Sequence, residues 1–473
     1  MKRFIKWLII ALLTFSSIGL LYYTYKLNVL ETKNYIILSM IVIVLWLFIT
    51  LVLLRSKTKL FTKIFLSIIT LLLVTVYGLG ARYINSTIDF AKKITSAKFE
   101  TVNYKVYVLN DSKYMTIGDL ENKTIGFMST DVYLDKATKN LSKTIKFTNN
   151  TYEEIGTLIG SLYEKKIDAI VINDSYYSLL EENKVAFTTE SNNVYNYSIK
   201  VIKTKEDKVT DITKDPFVLY ISGTDSRGSV SDVARSDVNI VAVVNPTKRK
   251  VLLVSTPRDY YVQLHGTTGV KDKLTHAGVY GINMSIETME DLLDVDINYY
   301  AKVSFSTVVK LVDTIDGIDI NSDTEFDATS ELTKENCHYT VGDQHLNGDC
   351  ALRFARERKI YESGDRHRGQ NQQAVITAII NKMSNPKYLI RYDKILKNVE
   401  GTLETDLSYD EITGLVKYEL KDLKNWEVES ISLDGEGAML PTYSMGDINL
   451  YVMIPNEDTV NAAKTKISEY LEK

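Results

Sequence analysis

The chain has only two cysteines, Cys337 and Cys350, in 473 residues. His338 and His345 lie between them, but this order and spacing match no standard zinc pattern, so a zinc centre is not expected. The pair admits two readings: a disulfide in an oxidising compartment, or two free buried thiols. An excess of basic charge is missing too. Against 56 Lys and Arg stand 60 Asp and Glu, for a net charge of −4 and a pI near 5.9. With no helix-turn-helix of standard form, that balance argues against a nucleic-acid binder or a transcription factor. Internal repeats and low-complexity tracts are also absent. The length then suggests two or three folded domains.

What the sequence does contain is divided sharply. Residues 1–83 are mostly apolar, and residues 84–473 are polar, mixed in charge and rich in Tyr. Three apolar segments, about 7–22, 35–54 and 60–79, approach or reach the ~20 residues that cross a bilayer. Lys2, Arg3 and Lys6 precede the first, as in a signal peptide, yet no small-residue cleavage site follows and two further spans come at once. Arg55, Lys57, Lys59 and Lys63 lie at the second connection, whereas the first carries only Lys26 and Lys33. Positive residues stay inside. The N-terminus and second connection are therefore expected inside, and everything after about Tyr83 outside, the cell.

The expected organisation is a membrane region at 1–83, a stalk at 84–100, a small α/β domain at 101–202, a charged linker at 203–215 and a larger α/β domain at 216–473. In the small domain, 105–109, 124–127 and 167–172 read as strands, and 153–164 and 176–181 as helices. TIGFMST and KKIDAIVIND in this order resemble one lobe of the periplasmic solute-binding fold. A single lobe does not make a clamshell site, so a structural or partner-docking role is expected. In the larger domain strands and helices alternate, which predicts a central mixed sheet flanked by helices.

That domain opens with three Val- and Ile-rich strands, at 217–222, 238–244 and 251–255. Asp225, Arg227, Arg235, Asp237, Arg258 and Asp259 stand just past their ends. Charged groups at a sheet rim are poor core material. They suit a phosphate gripped through a divalent metal and guanidinium forks. A second set follows in LRFARERKIYESGDRHRGQNQQ, with Arg356, Arg358, Arg366, Arg368, Gln372 and Gln373. Arg356 and Arg358 diverge on a helix but can turn to one ligand at a helix end. Gln372 lies four beyond Arg368 and shares its face if a helix has begun there. Leu352, Phe354 and Ala355, and Val375, Ile376 and Ile379, give the carrying helices apolar faces. The arginines thus project from packed elements.

GTDSRG at 223–228, RSDVNIVAVVNP at 235–246, STPRD at 255–259, INYYAKVSFSTVVKLVDTIDGIDI at 297–320 and LNGDCALRFARER…RHRGQNQQAVI at 346–376 together resemble the LytR-CpsA-Psr family. These are membrane-anchored enzymes of Gram-positive walls. Three spans and an extra external domain are similar to the family's streptococcal capsule-locus members. The resemblance implies transfer of a capsular polysaccharide or related glycopolymer from an undecaprenyl diphosphate carrier to peptidoglycan. It implies that Asp225 and Asp237 hold Mg²⁺ (or Mn²⁺). It also implies that Arg235, Arg258, Arg356, Arg358 and Arg368 clasp the diphosphate with Gln372 beside it. Asp237 and Arg258 then act at the reacting phosphorus, with a carboxylate of this set as candidate base.

The sequence departs from the family pattern in KLTHAGVYGI at 273–282, where Thr275 and His276 replace a small pair, and at Asp316–Gly317, where the family has two glycines. His276 reads as a packing variant. A polyprenyl chain needs an apolar tunnel, for which Phe305, Val308, Leu311 and Val312 are candidates; the same residues also suit an ordinary core. Two other functions remain open: a pyrophosphatase that uses water as acceptor, and a non-enzymatic lipid-phosphate sensor that regulates capsule assembly proteins.

Overall fold

In the computed structural model, the described residues are 3–472 except 31, 96–98, 203–207, 225–228, 330–335, 363, 390 and 423. The chain divides into two units. The first comprises Met1–Ser96, Met383–Lys397 and Leu407–Lys424, and the second comprises the remainder.

In the first unit, Arg3–Leu27, Thr32–Leu54 and Leu60–Thr95 are helices. Ile9, Leu13, Ile49 and Leu53 pack between them. Their other faces leave Phe15, Val44, Leu51 and Phe61 exposed, which water penalises and a bilayer does not. All three are long and apolar enough to cross a membrane. The third does not stop at the expected stalk but runs through it. Ile88, on that extension, is fully buried with Tyr409, whose hydroxyl donates to the Leu27 carbonyl at 3.0 Å. Residues 383–397 and 407–424, read from sequence as part of the last domain, thus pack with the N-terminal helices.

The second unit contains two sheets. The first has five strands in the order Phe147–Tyr152, Lys123–Met128, Ala169–Asn173, Phe99–Leu109, Ser191–Ile202. Leu134–Leu141, Ile155–Tyr163 and Asp174–Glu182 are its helices. The strand at 147–152 is polar and exposed, so the hydrophobic pattern did not reveal it, whereas 191–202 was missed although Tyr197, Ile199 and Val201 alternate into the core. This domain shares a core with the next. Tyr107, Ile155, Leu179, Leu180 and Phe187 are buried in one cluster with Leu264, Val279, Tyr280 and Met445.

The second sheet has six strands in the order Leu403–Thr405, Tyr299–Ser304, Phe217–Thr224, Val238–Asn245, Lys250–Thr256, Glu427–Ser432. Tyr299–Ser304 is parallel to Phe217–Thr224, and Glu427–Ser432 to Lys250–Thr256, while the three central strands are antiparallel. Alternation sends Val218, Tyr220, Val241, Val243, Leu252 and Val254 to one face, against the helices Ile282–Leu293 and Glu457–Leu471. Ile240, Ala242, Val251 and Leu253 face Ile376 and Ile380 of Asp365–Met383 on the other. This is the expected mixed sheet with helices on both faces. Cys337 and Cys350 form a disulfide, with Cα atoms 5.7 Å apart, which resolves the two readings left open by sequence.

A buried ion pair ties the two domains together. The Lys302 ammonium, 3% exposed, lies 2.8 Å from the Glu100 carboxylate, 2% exposed. Lys302 also donates to the Asp232 carbonyl at 2.7 Å. The other Glu100 oxygen accepts from the Ile282 amide at 3.1 Å. The chain reaches this spot through Gly281, whose φ of +104° favours glycine and where a Cβ would sit 2.7 Å from the Tyr133 hydroxyl. Removing one partner strands the other charge in the interior. Lys302→Met is therefore expected to destabilise the full chain by about 3–5 kcal/mol in denaturant unfolding. A cost under about 1 kcal/mol would mean that the pair is hydrated and structurally dispensable.

Candidate active site

The strand directions create one charged rim. Phe217–Thr224 and Lys250–Thr256 end where Val238–Asn245 begins, because the central strands are antiparallel. Tyr299–Ser304 and Glu427–Ser432, being parallel to their neighbours, end at the same rim. Residues following strand ends are free of ladder pairing and can turn their side chains to a ligand. Asp237 is anchored there by its amide, which donates to the Gly223 carbonyl at 2.7 Å.

Arg258 is the centre of the constellation. It donates to Asp237 at 2.6 Å and lies 3.3 Å from Glu182 and 3.7 Å from Asp259. The Thr275 hydroxyl donates to the same Asp237 oxygen at 3.3 Å. Lys273 pairs with Asp259 at 3.0 Å. Arg235 also pairs with Glu182. From the opposite side of the rim, Arg368 pairs with Asp365 at 2.6 Å, and Arg358 lies 4.0 Å from the same carboxylate. Asp365–Met383 comes this close to the sheet because Gly369 lacks a side chain; a Cβ there would meet the Ser255 hydroxyl at 2.7 Å.

Burial dominates the electrostatics. It works against the Arg258 charge, but Asp237 and Asp259 outweigh it and hold the guanidinium above its ordinary pKa. Burial alone would raise Asp259; Lys273 and Arg258 overcome that and leave it below the carboxylate range. Arg235 and Arg368 are lowered by burial, and burial raises Asp365 despite Arg368. Half-buried guanidiniums held by neighbouring carboxylates are groups that can exchange a carboxylate for another anion.

The remaining predicted residues fall as follows. Asp225 and Arg227 lie outside the described residues. Gly348–Arg356 ends at Arg356 and Glu357 is extended, so the pair does sit at a helix end, but here the two side chains have different neighbours, Arg358 lying near Asp365. Arg356 lies over the Phe305 ring at 4.3 Å. Gln372 is half-buried on the helix that carries Arg368, whereas Gln373 is structural and donates to the Leu253 and Ile431 carbonyls. Phe305, Val308 and Leu311 are half-buried on Phe305–Thr314, and Val312 is fully buried. His276 is 3% exposed and hydrogen-bonds Asp272 at 2.7 Å and Ser444 at 2.8 Å, the packing role expected of it. Among the described residues no group of three or more His, Cys, Asp or Glu is arranged to hold a metal ion.

Sequence reasoning missed Glu182, Lys273 and Asp365. Asp365 had a signal: it stands three before Arg368, the spacing of an intrahelical pair. Glu182 had none, because an acid at the end of an outlying helix reads as solvated surface.

This fold defines an α/β protein with three apolar N-terminal helices and a cluster of paired arginines and carboxylates at its strand ends. The profile of the LytR_cpsA_psr family matches residues 183–468, and the chain belongs to that family. It is similar to the polyisoprenyl-teichoic acid–peptidoglycan teichoic acid transferase TagU of Bacillus anthracis, 32% identical over 257 residues, covering 54% of this chain and 80% of the relative. TagV of Bacillus subtilis, named for the same activity, is 28% identical over 270 residues, with 56% and 67% covered. The crystal structure of B. subtilis TagV aligns with 55% of this chain and 98% of its own at 29% identity and a TM-score of 0.46.

Glu182 occupies guanidiniums that an anionic ligand would need. In metal-free buffer, Glu182→Gln is expected to tighten binding of inorganic pyrophosphate about fivefold, since a half-exposed ion pair is worth about 1 kcal/mol. Calorimetric titration measures this; unchanged or weaker binding would mean that the carboxylate does not compete.

Proposed function

We propose that this protein is a phosphotransferase that moves a glycopolymer, capsular polysaccharide or a related chain, from a polyprenyl diphosphate carrier to peptidoglycan. The observation that carries the reading is the half-buried set of Arg235, Arg258 and Arg368 around Asp237 at one sheet rim, in a chain of this family. The relatives' names supply the carrier and acceptor classes.

In this reading Arg235, Arg258, Arg358 and Arg368 take the diphosphate oxygens, with Gln372 beside them and Arg356 near the lipid end. An acceptor hydroxyl attacks the phosphorus that bears the sugar. The new O–P bond forms as the bond to the bridging oxygen breaks, and polyprenyl phosphate leaves with the electron pair. The acceptor proton passes to a carboxylate, for which Asp237 is the candidate, and then to water. The guanidiniums are already fixed and largely desolvated, so they meet the growing charge without reorganising. Asp237 and the Thr275 hydroxyl offer hard oxygen donors. Together with Asp225, Asp237 would hold Mg²⁺ (or Mn²⁺), which when bound neutralises phosphate charge. Phe305, Val308 and Leu311 are the candidate apolar contacts for the lipid. Val312, being fully buried, serves the core instead.

Asp237→Ala is expected to abolish transfer while the fold persists, measured by mixing the full chain with lipid-linked glycan, Mg²⁺ and peptidoglycan fragments. Arg258→Lys should lose about 1.5–3 kcal/mol of diphosphate binding, because an ammonium lacks the planar fork. A linked product in the Asp237→Ala reaction would remove that residue from the chemistry. Free glycan phosphate in place of linked product from the unaltered chain would favour the pyrophosphatase. Wild-type diphosphate affinity in Arg258→Lys would make the arginine an ordinary structural ion pair.

The reading also requires the large domains to face the cell wall. The charge asymmetry around the three spans and the Cys337–Cys350 disulfide support an external location. A reporter that is active only in the cytoplasm, fused after Lys473, should be silent; activity there would refute the topology.

A further inference from the structure

Beside the arginine centre lies a cleft of about 690 Å³, with its opposite wall built by the small domain. One wall is Asn103, Lys105 and the outer face of Asp174–Glu182, including Tyr177, Ser178 and Glu181; the other is the 232–235 segment. The cleft ends at Thr224, Arg235 and Asp237, where the reacting phosphorus would lie. We propose that this cleft is the acceptor subsite, and that it takes a saccharide bearing hydroxyl and amide groups. The inference rests on the transfer reading and assigns to the small domain the recognition of the acceptor.

The chemistry of the lining selects the ligand. Asp174, Glu181, Glu182 and Asp232 line it alongside Lys105 and Arg235, so a polyprenyl tail would strand charges against hydrocarbon. A second polyanion is equally ill matched, because acids (Asp174, Glu181, Glu182, Asp232) outnumber the cations Lys105 and Arg235 along the cleft. What remains is a surface of carboxylate, amide and hydroxyl groups, which accept and donate hydrogen bonds in the pattern that a polyhydroxylated ligand presents. Tyr177 adds an aromatic wall. Its ring stacks on Tyr107 at 4.6 Å between centroids, and its hydroxyl donates to the Thr188 carbonyl at 3.1 Å, so the wall is fixed before any ligand arrives. The volume falls in the range of small-molecule sites, enough for a short saccharide.

The walls cannot drift apart easily. Ser175, in the lining, donates to the Val233 carbonyl, and the Tyr176 hydroxyl donates to the Ser444 carbonyl. Both bonds cross from the small domain to the large one. An acceptor held in this cleft would present its hydroxyl at Asp237, and fixed positioning of two reactants is a large part of such a reaction's acceleration.

The test uses the full chain in detergent, a soluble peptidoglycan disaccharide as probe and inorganic pyrophosphate as the donor-side control. Tyr177→Ala removes the aromatic wall, and Ser178→Trp fills the cleft from a half-exposed helix position. Each variant that keeps the wild-type melting temperature should bind the disaccharide at least tenfold more weakly and bind pyrophosphate unchanged. In the transfer assay each should raise the acceptor KM and leave kcat near wild type. Wild-type disaccharide affinity in Ser178→Trp, no disaccharide binding by the unaltered chain, or equal loss of pyrophosphate binding would each overturn the proposal. If the disaccharide binds as expected but no linked product forms, the transfer reading fails and the saccharide site stands.

Discussion

A guanidinium taken out of water needs an anion, and this protein places several of them at the rim of one sheet. Arg258 is held between Asp237, Asp259 and Glu182, and Arg368 against Asp365. Each carboxylate stabilises a charge that burial disfavours, and each is near enough to be replaced or supplemented by a phosphate oxygen. The strand order and the close approach of Gly369 to Ser255 bring these groups to one place.

The same constraint explains why the small domain does not behave as a detachable lobe. It contributes Glu182 to the arginines, Glu100 to Lys302, and a set of apolar side chains to a core shared with the large domain. A free lobe would leave Lys302 buried without its partner and would expose Leu179, Leu180 and Phe187. The single-lobe resemblance to solute-binding folds therefore describes its strands and not its use.

The membrane region shows a related economy. Leu60–Thr95 continues past the apolar stretch, and its extension is buried against residues 383–397 and 407–424, far on in sequence. The anchoring helix and the stalk are one element, so the first unit is more than a tether.

Much of this was legible from the chain. Near-continuous runs of Val and Ile marked the three central strands, because a sheet covered on both faces tolerates little else. The apolar lengths fixed the spans, and the charged residues after the strands identified Asp237, Arg235 and Arg258 as rim groups. Arg368 and Gln372 were singled out by the family resemblance, their four-residue spacing adding only a shared face if a helix had begun. The pairing of Cys337 with Cys350, the partnership of Glu182 with two arginines and of Glu100 with Lys302, and the cleft beside Asp237 were decided by tertiary structure alone. Spacing and periodicity report which face of an element a side chain occupies. They carry no information about which distant element that face will meet, and a lone charge acquires its meaning only from the charge that folding sets beside it.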